Sequence, residues 1–457
     1  MPIELNTLAF DPARAGAALD HFSAIPAVFA LYGVEAHAEP YIGRTPNLRG
    51  RLERLLLPSE KHPRRLQLAG RVREIRWRQT GSEFESLLAQ FELLEKVHGT
   101  KCLERMHLRA PAFVRFLGSN AYPRIAVTHR PSQREADWAY GPFQSRAAAE
   151  RYADEALKLF LLRRCTEELD PTPSHPGCVY SEMKMCLAPC YKGCTDERYG
   201  AEAAAVERFL ATRGESRLVT LRTEREESSA KLEFEAAAAL HAQVQRVESV
   251  RALAPELVRP LSQLRAVVLQ VSAVLGEVAV FLYDNGSLAG PVGFSTLGMR
   301  IQNEQSGSTS LFAHPMAIEA IPESEASGTP AGAEAHVDLS ASAARLKSCP
   351  DTNQRLPEDG EEAPSESNAA PAKLARGVLE GRLEAALAAL ADRPQAPSAT
   401  LRQGHLALLK RWYYRPEGRR SGEIFFPDAE GRWPAKALLR GVGRVAAKML
   451  ATGNQAK

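Results

Sequence analysis

The sequence predicts an α/β chain assembled in series. A small mixed sheet with helices comes first, then a cysteine-rich region, a helical hairpin and, beyond a linker, an α+β C-terminal segment. Three observations carry this expectation. Short apolar strands alternate with amphipathic helices through the first 110 residues. Five of the seven cysteines fall between residues 165 and 194. The stretch from 301 to 372 is rich in Ser, Pro, Ala and Glu and poor in aromatics, the composition of a segment that cannot bury a core.

Val28 to Tyr32 is a short apolar strand, Gly33 to Pro40 a connection, and Tyr41 to Gly43 a second strand. Asn47 can cap a helix that sets Leu48, Leu52, Leu55 and Leu56 on one face. Val72 to Trp77 is a third strand. Ser82 and Glu85 then read as a capping box for a helix carrying Leu87, Leu88, Phe91 and Leu94 on one stripe. A strand at Arg124 to Thr128 follows, then a helix packing through Ala147, Tyr152, Ala156 and Leu159. Residues 200–250 are helical almost throughout, and Val267 to Ala289 reads as a β-hairpin with Asn285-Gly286 as turn signal. The expected units are 21–110, 111–200, 201–255, 262–300, an acidic disordered linker at 302–372, and a compact helix-and-strand tail at 374–453.

The net charge of +3 conceals a strong asymmetry. Residues 301–372 hold 12 acidic and 3 basic residues, so the remainder of the chain is +12. Residues 41–80 carry 11 Lys/Arg against Glu53, Glu60 and Glu74, a local +8. Such density is the electrostatic footprint of phosphate-backbone binding, although a solvated surface shows it too. Met1 to Asp20 has no signal-peptide character and no stretch of about 18 apolar residues occurs, so a cytoplasmic protein with no membrane association is expected.

Cys165, Cys178, Cys186 and Cys190 stand in the spacing C-x12-C-x7-C-x3-C, with Cys194 four residues on. Four thiolates suit tetrahedral zinc or a 4Fe–4S cluster, and spacing alone does not separate the two. The string RRCTEELDPTPSHPGCVYSEMKMCLAPCYKGC (163–194), preceded by YGPFQSRAAAERYADEALKLF (140–160), closely resembles the cysteine region of the UvrC/Cho excinuclease family. That resemblance implies an iron–sulfur cluster on Cys165, Cys178, Cys186 and Cys190. Cys194 has no counterpart, and a spare ligand or a structural thiol are both open.

Two further segments extend the resemblance to about residues 25–250. KLEFEAAAALHAQVQRVE (231–248) resembles the UVR motif, a helical hairpin that docks on a UvrB-like partner. Leu232, Phe234, Ala237, Ala238, Leu240 and Val244 would form its core or partner face. Tyr41-Ile42-Gly43, followed by Arg44, Asn47, Leu48 and Arg51, resembles the YIG half of a GIY-YIG nuclease. In that family a tyrosine hydroxyl, an arginine and a glutamate-bound divalent ion, Mg or Mn, hydrolyse a phosphodiester. Tyr41 and Arg51 take those roles by position, and Arg44 replaces a lysine.

Three departures affect the implied chemistry. The GIY half reads Ala27-Val28-Phe29, which removes a tyrosine hydroxyl. FESLLAQFELLEK (84–96) puts Gln90 at the position of the metal-binding glutamate, and an amide supplies no charge to hold a hard cation. APAFV, ending at Val114, replaces the family's RPxYN. The family's second, RNase-H-like nuclease has no recognisable counterpart after residue 260, which brings the chain closer in scope to the short homologue Cho. LRGVGRVAAKML (439–450) resembles a helix-hairpin-helix, in which Gly441 and Gly443 would let backbone N–H groups approach a DNA phosphate. The resemblance thus implies a structure-specific endonuclease of excision repair, working on DNA with a UvrB-like protein, with an incomplete catalytic site. The alternative is a non-catalytic DNA- and UvrB-binding adaptor derived from such a nuclease.

Overall fold

Among the described residues the strands form three four-stranded sheets, each antiparallel throughout. The computed structural model describes residues 4–35, 38–57, 66, 68–299, 376–392 and 397–454. The expected linker at 302–372 lies outside the described residues, as do Lys61, Arg64 and Arg65 of the basic run.

The first sheet comprises β1 (Asn6–Ala9), β2 (Ala27–Gly33), β3 (Tyr41–Thr45) and β4 (Val72–Gln79) in the order β1-β4-β2-β3. A mixed sheet was the expectation; every neighbour here runs antiparallel, and the chain returns from edge strand β3 past β2 to set β4 between β1 and β2. β1 also extends the unit to the N-terminal side of residue 21. α1 (Ala15–Leu19) and α2 (Leu48–Leu56) lie in this region, and the Asn47 side chain caps α2 by accepting the Gly50 N–H at 2.8 Å. The pleat divides the sheet cleanly. Phe29, Leu31 and Tyr41 pack with the α2 leucines, while Val28, Ala30 and Ile42 pack on Ala89 and Leu93 of α3 (Glu83–His98). At the start of α3 the Ser82 hydroxyl accepts the Glu85 N–H as expected, but the Glu85 carboxylate accepts from Gly81 N at 2.8 Å, one residue further back.

After the short α4 (Cys102–Arg105), the second sheet has the order β6-β5-β7-β8, with β5 (Ala112–Phe116), β6 (Ile125–Thr128), β7 (Ala139–Phe143) and β8 (Arg259–Pro260). α5 (Arg146–Leu157) and α7 (Asp196–Ala211) share its core through Tyr152, Phe160, Tyr199 and Phe209, with α6 (Val179–Glu182) in the cysteine region between them. α8 (Glu215–Ala230) and α9 (Phe234–Ala252) form a hairpin whose base enters the same core at Leu218, Leu221, Val244, Val247 and Val250. Tertiary packing of that base, more than helix propensity, holds the pair upright.

The third sheet, β11-β10-β9-β12, is built from β9 (Ala266–Val271), β10 (Glu277–Asp284), β11 (Ser287–Ser295) and β12 (Glu423–Phe425). Asn285 and Gly286, both at positive φ, make the tight turn between β10 and β11. Strand alternation sends Val267, Leu269, Val278 and Val280 towards α10 (Arg376–Ala391) and α12 (Ala435–Asn454). It sends Val268, Phe281 and Tyr283 towards α3 and α11 (Ala399–Tyr413). α3 is therefore buried between the first and third sheets.

The helix-hairpin-helix expectation at Gly441 and Gly443 is corrected here, because α12 runs unbroken through both. A Cβ on Gly441 would lie 2.5 Å from Cζ of Phe425, so this glycine permits close helix–strand contact. Leu438, Val442, Val445 and Ala446 form one continuous apolar face, and a turn at 441–443 would break its burial. Among the described residues no helix is long and apolar enough to cross a membrane.

Candidate functional site

Edge strand β3 and helix α2 bring two of the expected nuclease residues together. Nη2 of Arg51 donates to the Tyr41 hydroxyl at 2.8 Å. Both side chains are partly exposed, and Phe29 stands beside Tyr41 with ring centroids 6.1 Å apart. Phe29 itself is fully buried, its ring tip against Gly43. No carboxylate hydrogen-bonds or ion-pairs with Tyr41 or Arg51 among the described residues.

The other two expected residues lie on β3 and α3. Arg44 is one residue out of phase with Tyr41 and Gly43, so the pleat turns it to the α3 side of the sheet. There its Nη1 lies 3.5 Å from the Glu83 carboxylate. Gln90, partly buried on α3, belongs to the helix that packs on that same side, and its side chain makes no hydrogen bond among the described residues. The structure thus pairs Tyr41 with Arg51, sets Phe29 beside Tyr41 and turns Arg44 to the side of the sheet on which α3 packs.

Sequence reasoning missed the partner of Arg44. Arg415, immediately beyond α11, grips Glu83 with both guanidinium nitrogens at 2.7 and 2.8 Å. That bond, with Arg44 and Arg411 adding to it, holds the Glu83 carboxyl below its usual range against the pull of partial burial. A contact across 332 residues leaves no local signal in the sequence.

The cysteine region is a run of tight turns. Ala188 and Lys192 both adopt left-handed backbone, and the Ala188 N–H donates to Sγ of Cys186 at 3.3 Å. Nη1 of Arg163 lies 3.6 Å from Sγ of Cys165. Burial first, then proximity to Cys165, Cys178 and Cys190, pushes the Cys186 thiol up to about 11. Cys165, Cys178 and Cys190 thus lie near enough to Cys186 to act on its thiol, and a bound cation would favour its thiolate. Among the described residues no three Cys, His, Asp or Glu side chains form a ready-made metal site. The donor set still suits a thiolate-bound centre in its chemistry. Cys194 stands apart: it packs on the second-sheet core, and burial and Asp196 raise its thiol.

At the hairpin tip Leu232 and Phe234 are 69% and 67% exposed, whereas Leu240 is half-buried and Val244 is fully packed. The first two are free to meet a partner, and the last two hold the hairpin to its own domain.

These features define a protein built from a small Tyr–Arg-bearing sheet, a cysteine-turn domain and a projecting helical hairpin. Residues 113–209 match the UvrC/Cho excinuclease middle-domain family. The chain is similar to UvrABC system protein C of Alcanivorax borkumensis, 27% identical over 242 residues, covering 53% of this chain and 39% of that protein. The same-named protein of Pseudomonas syringae pv. syringae is 28% identical over 245 residues, covering 54% and 39%. That of Ruegeria pomeroyi is 27% identical over 243 residues, covering 51% and 37%. The likeness to the UvrC/Cho family is carried by the middle domain at residues 113–209 and by these relatives. The match spans about two fifths of the length of these relatives. No solved structure matches it.

Proposed function

We propose that this chain is a nucleotide-excision-repair protein of the UvrC type that binds DNA and a UvrB-like partner and incises DNA slowly or not at all. The observation that carries the reading is the Arg51–Tyr41 pair, which has no carboxylate bonded to it among the described residues. A tyrosine hydroxyl held by a guanidinium can orient a water or touch a phosphate oxygen. Hydrolysis assisted by one divalent ion also needs an anionic ligand to fix that ion, and Mg²⁺ dehydrates reluctantly for a neutral amide. Gln90 provides only the amide, and buried Phe29 has no hydroxyl. Retained phosphate contacts without a fixed metal fit an adaptor derived from a GIY-YIG nuclease.

Cys165, Cys178, Cys186 and Cys190 are the residues that would hold a 4Fe–4S cluster, or zinc as the alternative. Such a centre would cross-link the turns of the cysteine region, so its binding energy would be folding energy. The exposed tip at Leu232 and Phe234, with Leu240 behind it, supports docking of a UvrB-like protein.

The test is nicking of a damaged duplex loaded with a UvrB-like protein, in Mg²⁺ and in Mn²⁺. The expected outcome is retained DNA binding with little incision, and partial recovery in Gln90→Glu combined with Phe29→Tyr. Robust Mg²⁺-dependent nicking by the unmodified protein, abolished by Tyr41→Phe, would establish a live nuclease using another ligand.

A further inference from the structure

A cavity of about 460 Å³ opens on the β5–β6 hairpin, beside the stretch that leads into Cys165. Its floor follows from strand register. Arg115 opposes Ala126, and the Leu117 N–H closes the hairpin on the Arg124 carbonyl at 2.8 Å. Arg115, Leu117, Arg124 and Ala126 therefore project to one face. Arg163, buried to 3% exposure, enters from the side.

Three guanidinium groups thus line one concavity, and their compensation is uneven. Arg115 is ion-paired with Glu135. Arg163 donates Nε to the Tyr122 carbonyl at 3.1 Å and Nη1 to the Glu167 carbonyl at 2.8 Å and towards Cys165 Sγ, which leaves Nη2 without a protein partner among the described residues. Arg124 makes no side-chain hydrogen bond or ion pair among the described residues, and its Nε is fully buried. Burial, with Arg163 and then Arg115 nearby, pushes its guanidinium below the usual value, although an arginine stays charged at neutral pH. Glu167 and Glu168 also line the cavity, but neither ion-pairs with any of the three arginines.

Like charges on one sheet face are destabilising unless something lies between them. A tetrahedral oxyanion is the ligand whose shape and charge match converging guanidinium forks. We propose that this cavity is an anion site that seats a phosphate group, with Arg124 and Arg163 as its donors, and that the group it takes is a backbone phosphodiester of DNA. The DNA half of the proposal rests on the repair-protein reading; the anion half does not.

The experiment uses the full chain, a fluorescein-labelled DNA duplex and inorganic phosphate. Arg124→Gln should weaken duplex binding roughly tenfold irrespective of sequence and flatten the slope of log affinity against log salt by about 0.9, the value for one lost phosphate contact. Arg124→Lys should keep the slope. Inorganic phosphate should raise the melting temperature of the unmodified protein and leave that of Arg124→Gln unchanged. Without ligand, Arg124→Gln should melt no lower than the parent, since it relieves like-charge repulsion; a large drop would make Arg124 a structural residue and overturn the site. Phosphate protection with an unchanged salt slope would assign the cavity to a free anion and overturn the DNA half. If the unmodified protein binds no duplex, the repair reading fails, and phosphate protection lost in Arg124→Gln still upholds the anion site. Absence of phosphate protection together with unchanged DNA binding in Arg124→Gln would overturn the proposal entirely.

Discussion

Phe234→Ala separates partner docking from folding, because the side chain is 67% exposed at the tip of the α8–α9 hairpin. A phenylalanine offers about 150–250 Å² for burial. Two thirds of that, about 100–170 Å², remains available to a partner, worth about 2.5–4 kcal/mol at 25 cal/mol per Å². Alanine keeps the Cβ and docking is never complete, so a loss of about 2–3 kcal/mol is expected, or roughly 30- to 150-fold in Kd. Stability should change by no more than about 0.5 kcal/mol, as for other exposed positions. Val244→Ala provides the contrast. That side chain is 3% exposed in the second-sheet core, and its truncation should cost about 1–3 kcal/mol of stability. Interferometry against an immobilised UvrB-like protein, with urea melts of each variant, reads both quantities. Unchanged affinity in Phe234→Ala, or a stability loss as large as that of Val244→Ala, would refute the assignment of the tip as the docking element.

The remaining predictions address the cysteines and the C-terminal helix. Anaerobically purified protein should be brown and contain iron, and Cys186→Ala should lose both the colour and much of the soluble yield; stoichiometric zinc without iron in the parent would reject the cluster and retain the site. Gly441→Ala forces a Cβ to 2.5 Å from the Phe425 ring, so a stability loss of about 1–3 kcal/mol is expected, measured by urea denaturation. The same variant should leave the salt dependence of DNA binding unaltered, whereas a phosphate-binding hairpin would show a shallower slope.

Much of this molecule was legible in local pattern. Asn47 and Ser82 cap the helices they were expected to start, and strands at 27–33, 41–45 and 72–79 follow the apolar runs. The strings around CLAPC and LEFE carry the family resemblance because their side-chain types and spacing are dictated by turns and helix faces a few residues long. The hairpin core was legible only in part: Val244, expected in the core or partner face, packs inward, whereas Val247 and Val250 were not singled out. Where two local readings competed, the sequence by itself did not choose between them: LRGVGRVAAKML fits a hairpin or a helix, and contact with Phe425 decided for the helix.

Tertiary structure alone decided the rest. Residues 41–51 read as one catalytic run, but the pleat sends Tyr41 and Arg44 to opposite faces, and only a formed sheet sets them apart. Glu83 carries no local mark of its ion pair, which Arg415 makes from 332 residues away. The phosphate-seating cavity needs Arg115 and Arg124 from two strands in register and Arg163 from a later loop, none of which is near enough in sequence to form a motif. Local interactions are written in local order, whereas the energy of a charge depends on what surrounds it. Those surroundings exist only once the three sheets have closed on their helices.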